Sequence, residues 1–133
     1  KVVAVEQSKI LFCLVNDAIQ RARDKIPYLN NLQFLNDNSL LAYKKQNKVF
    51  DAIYLDPMYP IIKKSIKKRG SINNIKQILE IENLVSDEKE IIDIFMKFNY
   101  KKIIVKRPLK SEKKYSNINY QVKGKTTRFD IYI

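Results

Sequence analysis

The chain opens with a pattern typical of a strand followed by an amphipathic helix. Residues 1–5 are mostly apolar and β-branched and lead to Glu6, which predicts a short strand ending in an acid. Ser8 can cap a helix that runs to about Arg23, because apolar residues then recur at helical spacing. The predicted buried side of this helix consists of Ile10, Leu11, Leu14, Val15, Ala18, Ile19 and Ala22.

Two further strands are predicted before residue 60. Residues 32–35 form the first, and the polar segment 36–39 after it predicts a turn. Residues 49–55 form the second, which stops at Asp56 and Pro57 because proline cannot continue a hydrogen-bond ladder. A buried strand of this kind delivers Asp56 to the carboxyl edge of a sheet, where open α/β folds bind ligands.

The second half of the chain predicts two helices, a strand and a hairpin. Apolar residues recur at helical spacing over 72–79 and 86–98, and residues 101–106 form a strand. Two alternating segments within 117–133 predict an antiparallel hairpin. The order predicts a three-layer α/β fold with a mostly parallel sheet and a carboxy-terminal hairpin, in one domain over residues 1–133.

Composition narrows the class of protein. A hydrophobic content of 45% with 30% charged residues is typical of a soluble globular chain. No apolar run approaches the ~20 residues that cross a bilayer, and no signal peptide is visible, so we expect a cytoplasmic protein without a membrane partner. We expect the single cysteine, Cys13, to be a buried thiol. With no histidine and one cysteine, we expect no metal.

The net charge of +12 is concentrated in the second half of the chain. Residues 1–60 carry 8 basic and 6 acidic side chains, whereas residues 61–133 carry 18 and 8. A polyanion is the natural partner of such a surface, and the alternative is the lysine-rich composition of an AT-biased genome. The basic segment next to Asp56 holds the strongest candidates for phosphate contacts, which are Lys63, Lys64, Lys67, Lys68 and Arg69.

Asp56, Pro57 and Tyr59 form an Asp-Pro-x-aromatic motif. Enzymes that methylate the exocyclic amine of a nucleobase use this combination, because the amine needs two hydrogen-bond acceptors and the ring needs a flat surface to stack on. The Asp56 carboxylate and the Pro57 carbonyl are the acceptors, and Tyr59 is the stacking ring. The alternative is a strand that simply ends in a proline turn.

The chain has only two glycines, Gly70 and Gly124, and therefore no Gly-rich phosphate or cofactor loop. In nucleotide-binding α/β folds, that loop follows the first strand and an acid ends the second. The opening strand with its terminal Glu6 fits the second strand, so we expect the first strand to be missing from this sequence.

With these motifs in order, the chain resembles the Rossmann-like class I methyltransferases that depend on S-adenosylmethionine (SAM). Within them it resembles the J-type bacterial methyltransferases that act on guanine N2 of small-subunit (16S) ribosomal RNA. The matching segments are Glu6, the string from Tyr54 to Pro60, Val105 to Pro108, and Lys123 to Tyr132. Tyr59 departs from the family, which usually has Phe there.

The resemblance implies SAM as the cofactor and ribosomal RNA or the small ribosomal subunit as the partner. It assigns cofactor binding to Glu6, Gln7, Asn38, Ser39 and Asp56, with Glu6 on the ribose hydroxyls. Two other functions remain open from the residues. One is an adenine-N6 nucleic-acid methyltransferase, and the other is a non-catalytic basic RNA-binding remnant. Lys106, Arg107 and Arg128 either contact RNA or pair with acids such as Asp130.

Overall fold

The computed structural model describes residues 1–57, 70–84, 88–111, 115 and 117–133. These residues fall into two compact units. The first unit lies within Lys1–Asn47 and Ser65–Val85, and the second lies within Lys48–Lys64 and Ser86–Ile133.

A strand–helix–strand arrangement organises the first unit. β1 (Val2–Glu6) pairs in parallel with β2 (Leu32–Asn36), and the register sets Glu6 opposite Asn36. Parallel neighbours need a crossover connection, which α1 (Lys9–Ala22) supplies. Because the two strands run the same way, their polar carboxyl ends meet at one edge.

α1 begins where the sequence predicts it. Ser8 is the N-cap, and its Oγ accepts a hydrogen bond from the backbone N–H of Leu11 at 3.1 Å. Phe12 stacks on Phe34 of β2 with ring centroids 4.9 Å apart, so this side of the helix packs against the strand. A short 3-10 helix (Pro27–Asn31) then leads into β2.

The predicted buried side of α1 is wrong for more than half of its members. Only Leu11, Ile19 and Ala22 are half-buried, and the exposed residues are Ile10, Leu14, Val15 and Ala18. The helix contacts β2 through the side that carries Phe12, which the pattern had not included, so the rest of the apolar stripe is uncovered in the described part of the chain. The expectation of a buried thiol is also wrong, since Cys13 is exposed.

α2 (Ser39–Gln46) and α3 (Gly70–Ile81) complete the first unit. The sequence predicted α3 but only a turn at the start of α2. The reason α2 forms is its cap: Oδ1 of Asn38 accepts hydrogen bonds from the backbone N–H groups of Leu40 at 3.0 Å and Leu41 at 3.3 Å. α2 contacts β1, and α3 contacts α1.

A four-stranded sheet forms the second unit, in the order β3-β4-β6-β5. β3 (Ile53–Leu55) is parallel to β4 (Ile103–Pro108), which is antiparallel to β6 (Thr127–Tyr132). β5 (Tyr120–Lys123) pairs antiparallel with β6 and completes the predicted hairpin. β3 is shorter than the predicted 49–55 because β4 begins at Ile103 and offers no earlier partner in the ladder.

The buried residues of the second unit lie on one sheet face and in α4 (Glu88–Phe95). Ile103 and Val105 are fully buried in β4, and Ile92 and Phe95 are the buried residues of α4. Residues 85–87, where that helix was predicted to begin, lie outside the described residues.

The predicted α/β class, with parallel strand pairs and a carboxy-terminal antiparallel hairpin, is confirmed. Among the described strands, β1 pairs only with β2 and β3 only with β4. A single domain over residues 1–133 and a missing first strand stay predictions. No helix in the described ranges has the length and apolar character to cross a membrane.

Candidate active site

Glu6 is held at the carboxyl end of β1 by both its backbone and its side chain. Its Oε1 accepts a hydrogen bond from the backbone N–H of Ser8 at 2.8 Å. Its carbonyl accepts one from the side chain of Asn36 at 2.9 Å and another from the backbone N–H of Asp37 at 3.2 Å. Within the described residues, Oε2 accepts no hydrogen bond, so one carboxylate oxygen is available to a ligand hydroxyl.

Gln7 and Asn38 lie at the same edge as Glu6. The Gln7 carbonyl accepts a hydrogen bond from Asn36 at 3.2 Å, and its Oε1 accepts one from Nδ2 of Asn38 at 3.4 Å. Asn38 therefore caps α2 with its oxygen while its nitrogen faces Gln7. Ser39 is half-buried in the first turn of α2. The first unit thus brings all four predicted residues of this edge together.

Asp37 lies in the same segment but is engaged by its own neighbours. Its Oδ1 accepts a hydrogen bond from the backbone N–H of Asn38 at 2.8 Å, and its Oδ2 pairs with Lys45 at 2.6 Å. The hydrogen bond from Lys45 holds the pKa of Asp37 below its ordinary value. With both oxygens occupied, Asp37 is less available to a ligand than Glu6.

Asp56 stands one residue beyond β3 in the second unit. Its Oδ2 pairs with Nζ of Lys106 at 2.8 Å, and the two side chains are 47% and 37% exposed. Within the described residues, Oδ1 has no hydrogen-bond partner. Pro57 follows and is half-buried. The predicted carboxylate therefore reaches the sheet edge with Oδ2 paired and with Oδ1 unpaired among the described residues.

Tyr54 adds an aromatic ring to the sheet face next to Asp56. Its neighbours Ile53 and Leu55 are buried on the opposite face, whereas Tyr54 is 53% exposed. Its ring centroid lies 6.4 Å from that of Phe129 on β6. Partial burial, together with the negative charge of Asp56, raises the pKa of the Tyr54 hydroxyl, so it stays protonated at neutral pH.

A buried ionic cluster lies on the other face of the same strands. Asp130 is fully buried and accepts hydrogen bonds from Nε of Arg128 at 3.0 Å and from Gln121 at 2.6 Å. Arg107 is 4% exposed, and its Nε lies 3.2 Å from Oδ2 of Asp130. Since buried guanidinium groups cannot reach an RNA phosphate, the pairing alternative holds for Arg107 and Arg128.

Several predicted site residues lie outside the described residues. They are the stacking ring Tyr59 and the basic candidates Lys63, Lys64, Lys67, Lys68 and Arg69.

Asn36 was not among the predicted site residues, and Asp56 was not predicted as the partner of Lys106. Asn36 bridges the carbonyls of Glu6 and Gln7, and Lys106 binds Asp56. For Asn36 the available signal was an amide directly after a predicted strand. For Lys106 the signal required the β3–β4 register, which the sequence does not specify.

A family model described as SAM-dependent methyltransferase matches residues 1–133, the whole chain. The chain belongs to this methyltransferase family. SAM is the cofactor on which the family depends, as the sequence motifs had indicated.

Curated relatives of this chain carry a more specific name. The chain is 36% identical to the ribosomal RNA small subunit methyltransferase J of Francisella tularensis subsp. novicida and 29% identical to that of Bdellovibrio bacteriovorus, with 98% and 99% of it aligned. It covers 55% and 51% of those proteins, so it spans about half the length of the curated relatives it matches.

A solved structure supports the fold of this chain. The crystal structure of a SAM-dependent methyltransferase from Neisseria gonorrhoeae matches with a TM-score of 0.59 at 27% identity. The match covers 99% of this chain and 55% of the other. The Rossmann-like methyltransferase fold predicted from the sequence is therefore confirmed.

The side chains at the edge of the first unit fit part of SAM. Its ribose carries two hydroxyl donors, and Glu6 offers a carboxylate oxygen without a described partner. Gln7 and Asn38 add amide groups that can donate or accept hydrogen bonds. These groups are neutral or anionic, which suits a cofactor with a cationic sulfur. Among the described residues, no cluster of three or more metal-ligating side chains occurs.

Proposed function

We propose that the whole protein transfers a methyl group from SAM to the exocyclic N2 of a guanine in small-subunit (16S) ribosomal RNA. The observation that carries the proposal is Asp56, a half-exposed carboxylate at the end of β3 with one oxygen open and Pro57 next in the chain. The name of the relatives and the positive charge of residues 61–133 support RNA as the substrate.

The proposed chemistry assigns Asp56 and Pro57 to the target amine. When bound, SAM supplies an electrophilic methyl group on a positively charged sulfur. Oδ1 of Asp56 and the Pro57 carbonyl accept the two N–H bonds of guanine N2, which turns the nitrogen lone pair out of the ring and toward the methyl carbon. Positioning and electrostatics therefore supply most of the rate enhancement.

The methyl transfer does not require a strong base. The new N–C bond takes the nitrogen lone pair, while the electrons of the broken C–S bond return to sulfur. The nitrogen becomes cationic and loses one proton, which Asp56 or water can accept. Tyr59 is assigned to stacking on the guanine, and Glu6, Gln7, Asn38 and Ser39 are assigned to holding the cofactor.

RNA access completes the proposal. Lys63, Lys64, Lys67, Lys68 and Arg69 are assigned to phosphate contacts because they follow the Asp-Pro motif directly. A base-paired guanine must leave its helix to reach Asp56, at a cost of a few kcal/mol. The cytoplasm is the proposed location because the substrate is ribosomal RNA.

The decisive experiment measures labelled methyl transfer from SAM to small subunits and to naked ribosomal RNA, with the modified nucleoside identified by mass spectrometry. Asp56→Ala should lower the rate by at least about 100-fold, since it removes an acceptor that acts on the reacting nitrogen. Asp51→Ala is the matched control. Asp51 is 93% exposed, pairs with Lys101 near the opposite end of β3, and should not affect the rate when replaced.

The product separates the alternatives. N2-methylguanosine supports the proposal, whereas N6-methyladenosine would replace it with an adenine methyltransferase. Calorimetry with SAM that gives no heat would indicate a non-catalytic RNA-binding protein. Wild-type turnover by Asp56→Ala would refute the role of Asp56 itself.

A further inference from the structure

The β3–β4 ladder determines which residue meets Asp56. The parallel register pairs Leu55 with Val105, so one step further along both strands places Asp56 beside Lys106. β3 ends at Leu55, whereas β4 continues to Pro108. Lys106 therefore extends from a fully formed strand toward a carboxylate that has just left its own strand.

The backbone of Lys106 is held by its pairing with β6 and by its buried chain neighbours. β4 pairs with β6 across Lys106, opposite Phe129. The neighbouring side chains, Val105 and Arg107, are buried, and Arg107 lies against the fully buried Asp130. Lys106 is thus anchored by the buried ionic cluster through its immediate chain neighbour, while its own ammonium group reaches the opposite, partly exposed face.

The pair between Lys106 and Asp56 makes the two carboxylate oxygens of Asp56 inequivalent. Oδ2 accepts the ammonium hydrogen bond, and Oδ1 is without a described partner. A carboxylate on a strand end can rotate among several side-chain conformers, and one anchored oxygen selects among them. The open oxygen then faces a defined direction, which an in-line transfer to a bound amine requires.

The ion pair between Lys106 and Asp56 contributes little to the stability of the fold. Both side chains are more than a third exposed, and ion pairs of that kind contribute little to folding because water screens them. The hydrogen bond with Asp56 raises the pKa of Lys106 above its ordinary value, because it favours the ammonium form that donates to Oδ2. A persistent charge aimed at one oxygen fits an orienting role better than a stabilising one.

We propose that Lys106 is a positioning residue that holds Asp56 in the orientation in which Oδ1 accepts the target amine. This inference rests on the proposed function, because it assigns Lys106 an effect on that reaction through Asp56. The alternative is that Lys106 leaves Asp56 and contacts an RNA phosphate. In the first role the lysine affects kcat, and in the second it affects the KM for RNA.

The test compares kcat, KM for RNA and SAM affinity in the full chain for Lys106→Met, Lys106→Arg and Lys101→Met. We expect Lys106→Met to lower kcat by up to about 100-fold while KM and SAM affinity stay within twofold, because the orientation of Asp56 is disturbed and binding is not. Lys106→Arg should recover much of kcat, since a guanidinium can still donate to Oδ2. Lys101→Met removes an equivalent exposed pair, with Asp51, and should behave as wild type.

A second measurement does not depend on catalysis. Titration of the lysine side chains followed by NMR should give Lys106 a pKa above its ordinary 10.5, and Asp56→Ala should return it toward that value. An unchanged pKa in Asp56→Ala would overturn the pair and with it the inference. The same titration on Asp51→Ala should leave Lys106 unaffected.

The outcomes separate the inference from the proposed function. An unchanged kcat in Lys106→Met would overturn the inference while leaving the methyltransferase assignment intact. A raised KM with a salt slope lowered by about 0.7–0.9 would also overturn it, because that result indicates a phosphate contact. A wild-type protein that binds the RNA but transfers no methyl group would instead refute the proposed function.

Discussion

Three carboxylates of this protein are held by different contacts. The difference distinguishes an acid that stabilises the fold from acids that can bind a ligand. Asp130 is fully buried and paired with two arginines, which leaves it no capacity for a ligand. Glu6 is held by a backbone N–H, and Asp56 by one lysine. Glu6 and Asp56 each retain an oxygen that no described residue occupies. At the scale of single residues, an oxygen without a described hydrogen-bond partner distinguishes Glu6 and Asp56, the candidate site acids, from the structural acid Asp130.

The open oxygen of Glu6 predicts a specific decrease in cofactor affinity. Glu6→Gln keeps an acceptor for Ser8 but removes the negative charge that strengthens hydrogen bonds from ribose hydroxyls. We expect the Kd for SAM to rise by roughly 10-fold or more, since hydrogen bonds to charged groups contribute ~1.5–3 kcal/mol. Calorimetry measures the Kd, and Glu80→Gln, an exposed acid of α3, serves as the control. Wild-type affinity in Glu6→Gln would contradict the assignment.

At the scale of elements, the start of α1 is tied to the end of α3. Oγ of Ser8 donates a hydrogen bond to Oε2 of Glu82, and the backbone N–H of Ile10 donates to Oε1 at 3.2 Å. Ser8 itself is completely buried. A carboxylate at a helix amino terminus is favourable because the first N–H groups lack helical partners and the helix dipole is positive there. One acid therefore joins two helices that are distant in sequence.

This interaction predicts a pH-dependent contribution to stability. The hydrogen bond from Ser8 lowers the pKa of Glu82 below 4.5, so the folded state binds the proton less tightly than the unfolded chain does. The contribution is complete above pH 4.5 and disappears as the pH falls through the lowered value in the folded state. We expect Glu82→Gln to lower the melting temperature at pH 7 and to approach wild type in acid. Thermal unfolding across this pH range measures the difference.

Two variants sharpen the test of the link between α1 and α3. Glu80→Gln removes an exposed acid from the same helix and should melt like wild type at both pH values. Ser8→Ala removes the N-cap of α1 as well as the hydrogen bond to Glu82, and the cap alone stabilises by ~0.5–2 kcal/mol. Ser8→Ala should therefore destabilise more than Glu82→Gln. A pH-independent difference for Glu82→Gln would contradict the electrostatic account.

At the scale of the whole molecule, the charge asymmetry bears on the proposed RNA substrate. Residues 61–133 carry a net +10, whereas residues 1–60 carry +2. Such a distribution attracts a polyanion over a Debye length of ~8 Å at physiological salt. Part of this positive charge is unavailable, because Arg107 and Arg128 are buried against Asp130. Phosphate contacts must therefore come from other basic residues.

The basic segment after the Asp-Pro motif predicts a salt-dependent effect on RNA affinity. Replacing Lys63, Lys64, Lys67 and Lys68 with Ala should weaken RNA binding and lower the slope of log K against log salt by ~0.7–0.9 for each phosphate that is no longer neutralised. SAM affinity should not change. The matched control replaces four lysines of residues 1–60, namely Lys9, Lys25, Lys44 and Lys48. Equal slopes for the two quadruple variants would show that this segment has no special role.

The sequence alone predicted the class of fold and most of the element boundaries, because local signals are strong in this chain. Ser8 marks the start of α1, Pro57 forbids continuation of β3, and the alternation within 117–133 produces the hairpin. The motif around Asp56 likewise contributed to the resemblance to the methyltransferase family, and that resemblance implied the role of Glu6. These features depend on residues near one another in the chain, so no knowledge of packing was needed.

Packing and register were decided only by the tertiary structure. The pattern of α1 specified an apolar stripe but not which part of it β2 would cover, so Leu14 and Cys13 proved exposed. The pairing of Lys106 with Asp56 depends on the offset between two strands some 50 residues apart in sequence. Asp130 and Arg107 are buried because opposite charges meet across β4 and β6. Such pairings arise from the alignment of distant segments, which local residue preferences do not encode.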